Sequence, residues 1–175
     1  MTQTFTAFFD RIRIAHGTQA EVAAALVAAG QAPQPQGVLI FDDATGRETD
    51  LDLSGGPDAV AARHAEPPRG RGRPKLGVTA REVTLLPRHW DWLAGQRGGA
   101  SATLRRLIDA ARAEDGGASE RRDACYRFCS AIAGDLPGFE DAMRHLYAAP
   151  PAAFLAAIDH WPADIRGHAE RLLTP

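Results

Sequence analysis

The stretch PRGRGRPKLG, residues 68–77, constrains this chain more than any other ten residues. Arg69, Arg71, Arg73 and Lys75 alternate there with Gly70, Gly72 and Pro74. Glycine brings no side chain to pack and loses the most backbone freedom on ordering; proline donates no backbone hydrogen bond. Such a run joins no core. It reads as an extended, flexible basic linker over 66–78, so the folded parts lie on either side. The reading is α+β: a small N-terminal β-hairpin and helix unit (1–65), the linker, a strand-helix-helix segment (79–116) and a helical C-terminal third (117–175).

The charge follows the same division. Between Arg69 and Arg112 there are ten basic and three acidic residues, a net +7, while the remainder carries ten basic and nineteen acidic residues, a net −9. A formal charge of −2 therefore hides a basic middle between acidic flanks. That asymmetry points to a polyanionic partner. The alternative is that the basic middle docks on the chain's own acidic flanks or on an acidic protein surface.

No apolar run approaches the roughly 20 residues of a membrane span, and the first residues, MTQTFTAFFDRIRIAHG, lack the pattern of a secretory leader. Cys125 and Cys129, four apart in a helical pattern, make no disulfide framework. A cytoplasmic protein without a membrane partner is the expectation.

Local signals place the elements. TFTAFFDRIRIAHG alternates apolar residues as a strand or hairpin does, and Thr18 with Glu21 fits a capping box opening a helix that ends at Gly30. GVLIFDDATGRETDLDL reads as a second hairpin, with strands over 38–41 and 49–53. A short helix is expected from Pro57. After the linker, REVTL reads as a strand. Pro87 then opens one helix, in which Trp90 and Leu93 form a core pair, and Ser101 caps another running to about Ala113. Helices over 120–133, 138–147 and 152–160 and a last amphipathic segment complete the chain, with Trp161 expected in the core.

RGRGRPK resembles the AT-hook motif, with one additional Arg-Gly. The resemblance implies a thin backbone lying in a narrow A·T minor groove, with Arg69, Arg71, Arg73 and Lys75 meeting its negative potential. The segment 81–113 resembles the ribbon-helix-helix family of bacterial DNA-binding proteins through REVTL, the LP that follows, WLAGQ and GGASATLRRLIDAA. That likeness implies an intertwined homodimer whose paired strands enter the major groove and whose second helix holds a phosphate at its start. Arg81, Thr84, Ser101, Arg105 and Arg106 are the candidate DNA contacts, and Leu104, Leu107, Ile108 and Ala111 fit one buried face. The strand register stays open. The family's register turns Arg81, Val83 and Leu85 to the groove, whereas hydrophobicity turns Glu82 and Thr84 there. Through GRPKLGV, AREVTLLPRHWDWL, AGDLPGF and WPADIR the whole chain also resembles an uncharacterised bacterial domain family, which implies no activity.

Enzyme chemistry finds little support. Asp42, Asp43, Asp50 and Asp52 could offer oxygen ligands to Mg²⁺ or Ca²⁺, but turns attract aspartate for hydrogen-bonding reasons alone. Cys125, Cys129, His145, His160 and His168 lack the tight spacing of zinc sites. No phosphate-loop or nucleophile-elbow motif occurs. The expectation is therefore a DNA-binding protein, a transcriptional or nucleoid-associated regulator, with no enzymatic activity, cofactor or metal. The alternative is a protein-protein interaction module that binds no nucleic acid.

Overall fold

A computed structural model describes residues 3–65 and 79–174, so the linker and its arm, Arg69 to Lys75, lie outside the described residues. In chain order the elements are β1 (Phe5–Phe9), β2 (Ile12–Gly17), α1 (Gln19–Ala28), β3 (Val38–Asp42), α2 (Gly56–His64), α3 (Pro87–Ala94), α4 (Gly99–Asp115), α5 (Ala118–Ile132), α6 (Phe139–Ala148), α7 (Pro151–Ala157) and α8 (Ala163–Leu173). The fold is α+β, with one antiparallel sheet in the order β2-β1-β3 and the helices concentrated toward the C-terminus. Two compact units emerge. One joins 3–65 with 118–174, and the other is 79–117.

The first unit starts from a hairpin. Asp10 and Arg11 both take positive φ, 45° and 69°, and Phe9 sits opposite Ile12. A two-residue turn with both centres left-handed matches the twist of the strands it joins. The capping box forms as read: Thr18 Oγ1 accepts from the Glu21 N–H at 3.3 Å, and the Glu21 carboxylate accepts from the Thr18 N–H at 2.7 Å. That backbone hydrogen bond, with a second from the Thr18 hydroxyl, holds the Glu21 carboxyl below its usual range.

β3 pairs with β1, Phe41 opposite Thr6, but the expected second strand over 49–53 does not form. Glu48 makes a single bridge to Phe41, and the chain then turns away. The reason lies at Asp52. Its side chain accepts from the Ser54 N–H at 2.9 Å, and its carbonyl faces Arg63 and His64 of α2, each at 2.9 Å. Leu51 and Leu53 alternate inward without a ladder to join.

The run FTAFF is apolar on both faces because both faces of β1 are covered. Phe5 and Ala7 meet Ile40, Val22, Leu26 and Val60 on the side of α1 and α2. Phe8 and Phe41 turn the other way, to Phe128, Cys125, Ile165, Leu172 and Trp161 from the C-terminal helices. The N-terminal sheet and the C-terminal helices thus share one core. Its centre is aromatic: the Phe128 ring lies 5.0 Å from Phe41 and 5.4 Å from Phe8. Trp161 is buried as expected and donates its Nε1–H to the Pro137 carbonyl at 3.1 Å. Cys125 and Cys129 are buried free thiols 3.9 Å apart, and that mutual contact with burial pushes the Cys129 thiol well up.

The second unit is sparser. Residues 79–86 hold no strand in the single chain. Leu86 is extended, and Pro87 starts α3, where the absent N–H costs nothing. Gly98 and Gly99, at φ 89° and 75°, turn the chain into α4. Ser101 is not the cap; Gly98 holds that position and Ser101 lies inside the first turn. Leu93 is buried, but Trp90, its expected core partner, is exposed.

Candidate functional site

Of the residues expected to touch DNA, Arg69, Arg71, Arg73 and Lys75 fall outside the described residues. Arg81 and Thr84 precede α3, and Ser101, Arg105 and Arg106 lie on α4; all five are exposed. Arg81, Thr84 and Ser101 line a common cleft of the second unit with Glu82, Val83, Trp90, Ala100 and Leu104. Arg105 and Arg106 are not among its lining. Opening α4 on two glycines, with no side-chain cap, leaves the first-turn amides without intrahelical acceptors, the arrangement that receives an anion.

The apolar side of this unit departs from the expectation. The stripe Leu104, Leu107, Ile108 and Ala111 has the spacing of a buried face, yet only Leu104 is even half-buried. Val83, Leu86, Trp90, Trp92, Leu107 and Ile108 are all between 42% and 56% exposed. Six large apolar side chains are thus half-exposed on these 39 residues.

A different site, unforeseen as a constellation, sits in the first unit. Thr4, His16, Asp43, Arg121, His168 and Arg171 line a cleft of about 320 Å³. β2 supplies His16, α5 Arg121, and α8 both His168 and Arg171. Asp43 follows β3 and is fixed by several contacts. Its N–H donates to the Thr4 carbonyl at 3.0 Å, the Thr6 hydroxyl donates to its Oδ1 at 2.7 Å, and His16 Nε2 lies 3.3 Å from its Oδ2. The turn that carries it is pressed onto α5. Arg127 donates to the Thr45 carbonyl at 2.9 Å, and at Gly46 (φ 64°) a Cβ would lie 1.9 Å from the Ala124 carbonyl oxygen.

His168 is 2% exposed, its ring 4.4 Å from Phe128 and 5.4 Å from Phe8. Burial pulls its pKa down to about 4, against the opposing pull of Asp43, so the ring is neutral near pH 7. Its Nδ1 lies 2.9 Å from Arg171 Nη2. A guanidinium only donates, so Nδ1 accepts and the ring proton sits on Nε2. That Nε2–H is buried without a hydrogen-bond partner, 3.7 Å from Asp43 Oδ1. Burial and the nearby Arg13 cation lower the Arg171 pKa in turn.

In the sequence Asp43 and His168 belong to two separate sets of metal-ligand candidates, neither of which includes His16, Arg121 or Arg171. One signal was available. In α8, His168 occupies the buried stripe of Ile165, Ala169 and Leu172, where a polar ring needs a reason. Among the described residues no group of three or more His, Cys, Asp or Glu side chains is placed to hold a metal ion. No helix among them is long and apolar enough to cross a membrane.

Fold and sites together define an α+β protein whose sheet is enclosed by helices from both ends of the chain, with a two-helix unit between those ends in sequence. The chain belongs to the bacterial family described as "Uncharacterized protein conserved in bacteria (DUF2239)", whose family model matches residues 4–173. No curated protein and no solved structure matches it.

Proposed function

We propose that this protein is a dimeric DNA-binding regulator and not an enzyme, in which 79–117 serves as a ribbon-helix-helix-like unit and Arg69 to Lys75 as a basic arm. The observation that carries the reading is the uncovered α4 stripe with its exposed neighbours Val83, Leu86, Trp90 and Trp92. In a ribbon-helix-helix dimer the apolar helix positions form a shared core, joined by Val83 in the register that hydrophobicity favours, and the strand finds its ladder in a second copy. A lone chain would then display what this unit displays: helices in place, the strand unformed, the apolar face in water. Covering a half-exposed side chain of this size stabilises by about 1 kcal/mol, so six from each protomer suffice to hold a dimer.

The electrostatics support the same reading. In the first unit Asp52, Asp123, Asp135, Asp141 and Asp159 each meet an arginine of that unit: Arg63, Arg127, Arg11, Arg144 and Arg166. Five of the nineteen flanking carboxylates are thus answered by arginines of their own unit, which supports a partner outside that unit for the basic middle. Binding would start with the arm's cations on phosphates and end with the ribbon in the groove.

The test pairs sedimentation with a mobility shift on A·T-rich and G·C-rich duplexes. A dimer at micromolar concentration, with a log-log salt slope of about −3.6 for each engaged arm, is the expected result. Replacing Arg69, Arg71 and Arg73 together by alanine should flatten that slope. A strict monomer refutes the ribbon. Unchanged DNA affinity in the triple variant refutes the arm and favours a protein-interaction module.

A further inference from the structure

The cleft between β2, the Asp43 turn, α5 and α8 has no part in DNA binding as proposed. At its inner wall the buried His168 ring stands between a guanidinium and a carboxylate. We propose that His168, Asp43 and Arg171 form an acid-sensitive latch, in which a proton taken up at His168 Nδ1 expels the Arg171 side chain and leaves the ring paired with Asp43.

The latch follows from where the proton must go. Arg171 Nη2 donates to Nδ1 at 2.9 Å, so the neutral ring already carries its proton on Nε2. A second proton can enter only at Nδ1, the atom that faces Arg171. Both ring nitrogens are then donors, and the hydrogen bond becomes a meeting of two N–H groups and two like charges. His168 cannot retreat, for its ring is 2% exposed and lies against Phe128 and Phe8. Arg171 can, because its long side chain is exposed and reaches water.

The other side of the ring supplies the second position. Nε2–H, without a hydrogen-bond partner in the neutral state, stands 3.7 Å from Asp43 Oδ1. Asp43 is anchored by the Thr6 hydroxyl at 2.7 Å and by its own N–H on the Thr4 carbonyl at 3.0 Å. A small shift turns that approach into a charge-assisted hydrogen bond once the ring is an imidazolium. Two discrete arrangements result: a neutral ring bound to Arg171, and a charged ring bound to Asp43. A switch requires such a pair of states.

The surroundings set the direction. β2 brings Arg13 and His16 toward the ring, the turn after β3 brings Asp43, and α8 brings Arg171 with Asp164 near it. α5 lines the recess with Arg121, while β1 and α5 present Phe8 and Phe128 to the ring. Burial above all, with Arg171, His16 and Arg13, holds the His168 pKa down at about 4 against the pull of Asp43. The latch is therefore shut near pH 7 and opens on acidification. Arg171 lines the recess, so opening widens it. The latch does not rest on the DNA-binding reading.

¹⁵N NMR of the full chain tests it, following the assigned His168 ring nitrogens and the Arg171 Nε–H from pH 7 downward. Far-ultraviolet circular dichroism confirms the fold at each step. At pH 7 Nδ1 should be bare and Nε2 protonated. On acidification Nδ1 should gain a proton, and the Arg171 signal should move with the same midpoint. Arg171→Gln removes the like charge at an exposed position and should raise the His168 midpoint by about one pH unit, about a tenfold gain in proton affinity. That raised midpoint decides the matter even where the parent unfolds before its ring titrates. His16→Gln should keep the joint transition of His168 and Arg171; its loss there would make His16 the trigger and overturn the latch. A neutral ring protonated on Nδ1 overturns it too, as does an Arg171 signal that ignores the His168 midpoint. So does an Arg171→Gln chain whose His168 still titrates near pH 4.

Discussion

Replacing Gly46 by alanine tests how the cleft is built. Two costs meet at that position. The residue takes φ 64°, where an L side chain costs about 1–2 kcal/mol. The new Cβ would also lie 1.9 Å from the Ala124 oxygen and 2.6 Å from its carbonyl carbon. Those are backbone atoms of α5, so the turn itself must move, and overpacking of that kind costs about 1–3 kcal/mol more. The expected loss is about 4 kcal/mol. Gly30 supplies the control. It has φ 74° and nothing within 4 Å of a built Cβ, so Gly30→Ala should lose the conformational part alone, about 1 kcal/mol. Urea unfolding followed by far-ultraviolet circular dichroism separates the two. At a slope near 2 kcal/mol per molar, the midpoints should differ by about 1.5 M. Equal losses in the two variants would show that the turn does not press on α5, and the account of how Asp43 is held would fail with it.

His168 makes stability depend on pH in a stated direction. Its folded pKa of about 4 lies below the ordinary 6.5, so the unfolded chain takes the proton first, and stability falls as pH drops from 6.5 toward 4, by up to about 3 kcal/mol. Urea midpoints measured across that window should show it, and a midpoint that rises on acidification would contradict the burial argument. Phe128→Ala removes the ring that touches Phe8, Phe41 and His168. It should cost about 3–5 kcal/mol and let the His168 pKa rise, both measurable by NMR titration and denaturation. Ile108→Glu places a charge on the exposed α4 face and should halve the sedimenting mass while keeping the helical far-ultraviolet signal, with only the ribbon strand lost; an unchanged dimer would move the interface elsewhere.

What the sequence disclosed was what local physics decides. The β1–β2 hairpin, the Thr18–Glu21 capping box and the limits of the helices rest on residues a few positions apart, and they were legible to within a residue or two at most ends. The strand expected over 49–53 failed because alternation at Leu51 and Leu53 signals burial, and burial does not require a ladder. Side chains of α2 took the Asp52 carbonyl that a neighbouring strand would have used. The cleft was illegible for another reason. Asp42 and Asp43 look alike in sequence, yet Asp42 closes the turn, accepting from the Ala44 and Gly46 N–H groups, while Asp43 faces the recess. Only the register of β3 separates them.

The deeper reason is distance along the chain. Arg11 holds Asp135 across 124 residues, and the Arg13 N–H donates to Asp164 across 151. These contacts, with Phe8 and Phe41 packed on Phe128, bring His16 and Asp43 to His168 and Arg171. Each of those residues taken alone has an ordinary explanation: a strand histidine, a turn aspartate, a buried imidazole, a helix-end arginine. They become a site only when both faces of FTAFF demand cover and the second cover comes from the far end of the chain. The sign was in β1 itself. A half-buried strand alternates, and Phe5 to Phe8 are all buried, so a second layer was owed that α1 and α2 could not supply. A strand apolar on both faces in a segment with helices for one face only is therefore evidence of a long-range partner, and recesses where the two segments meet are where a site should be sought.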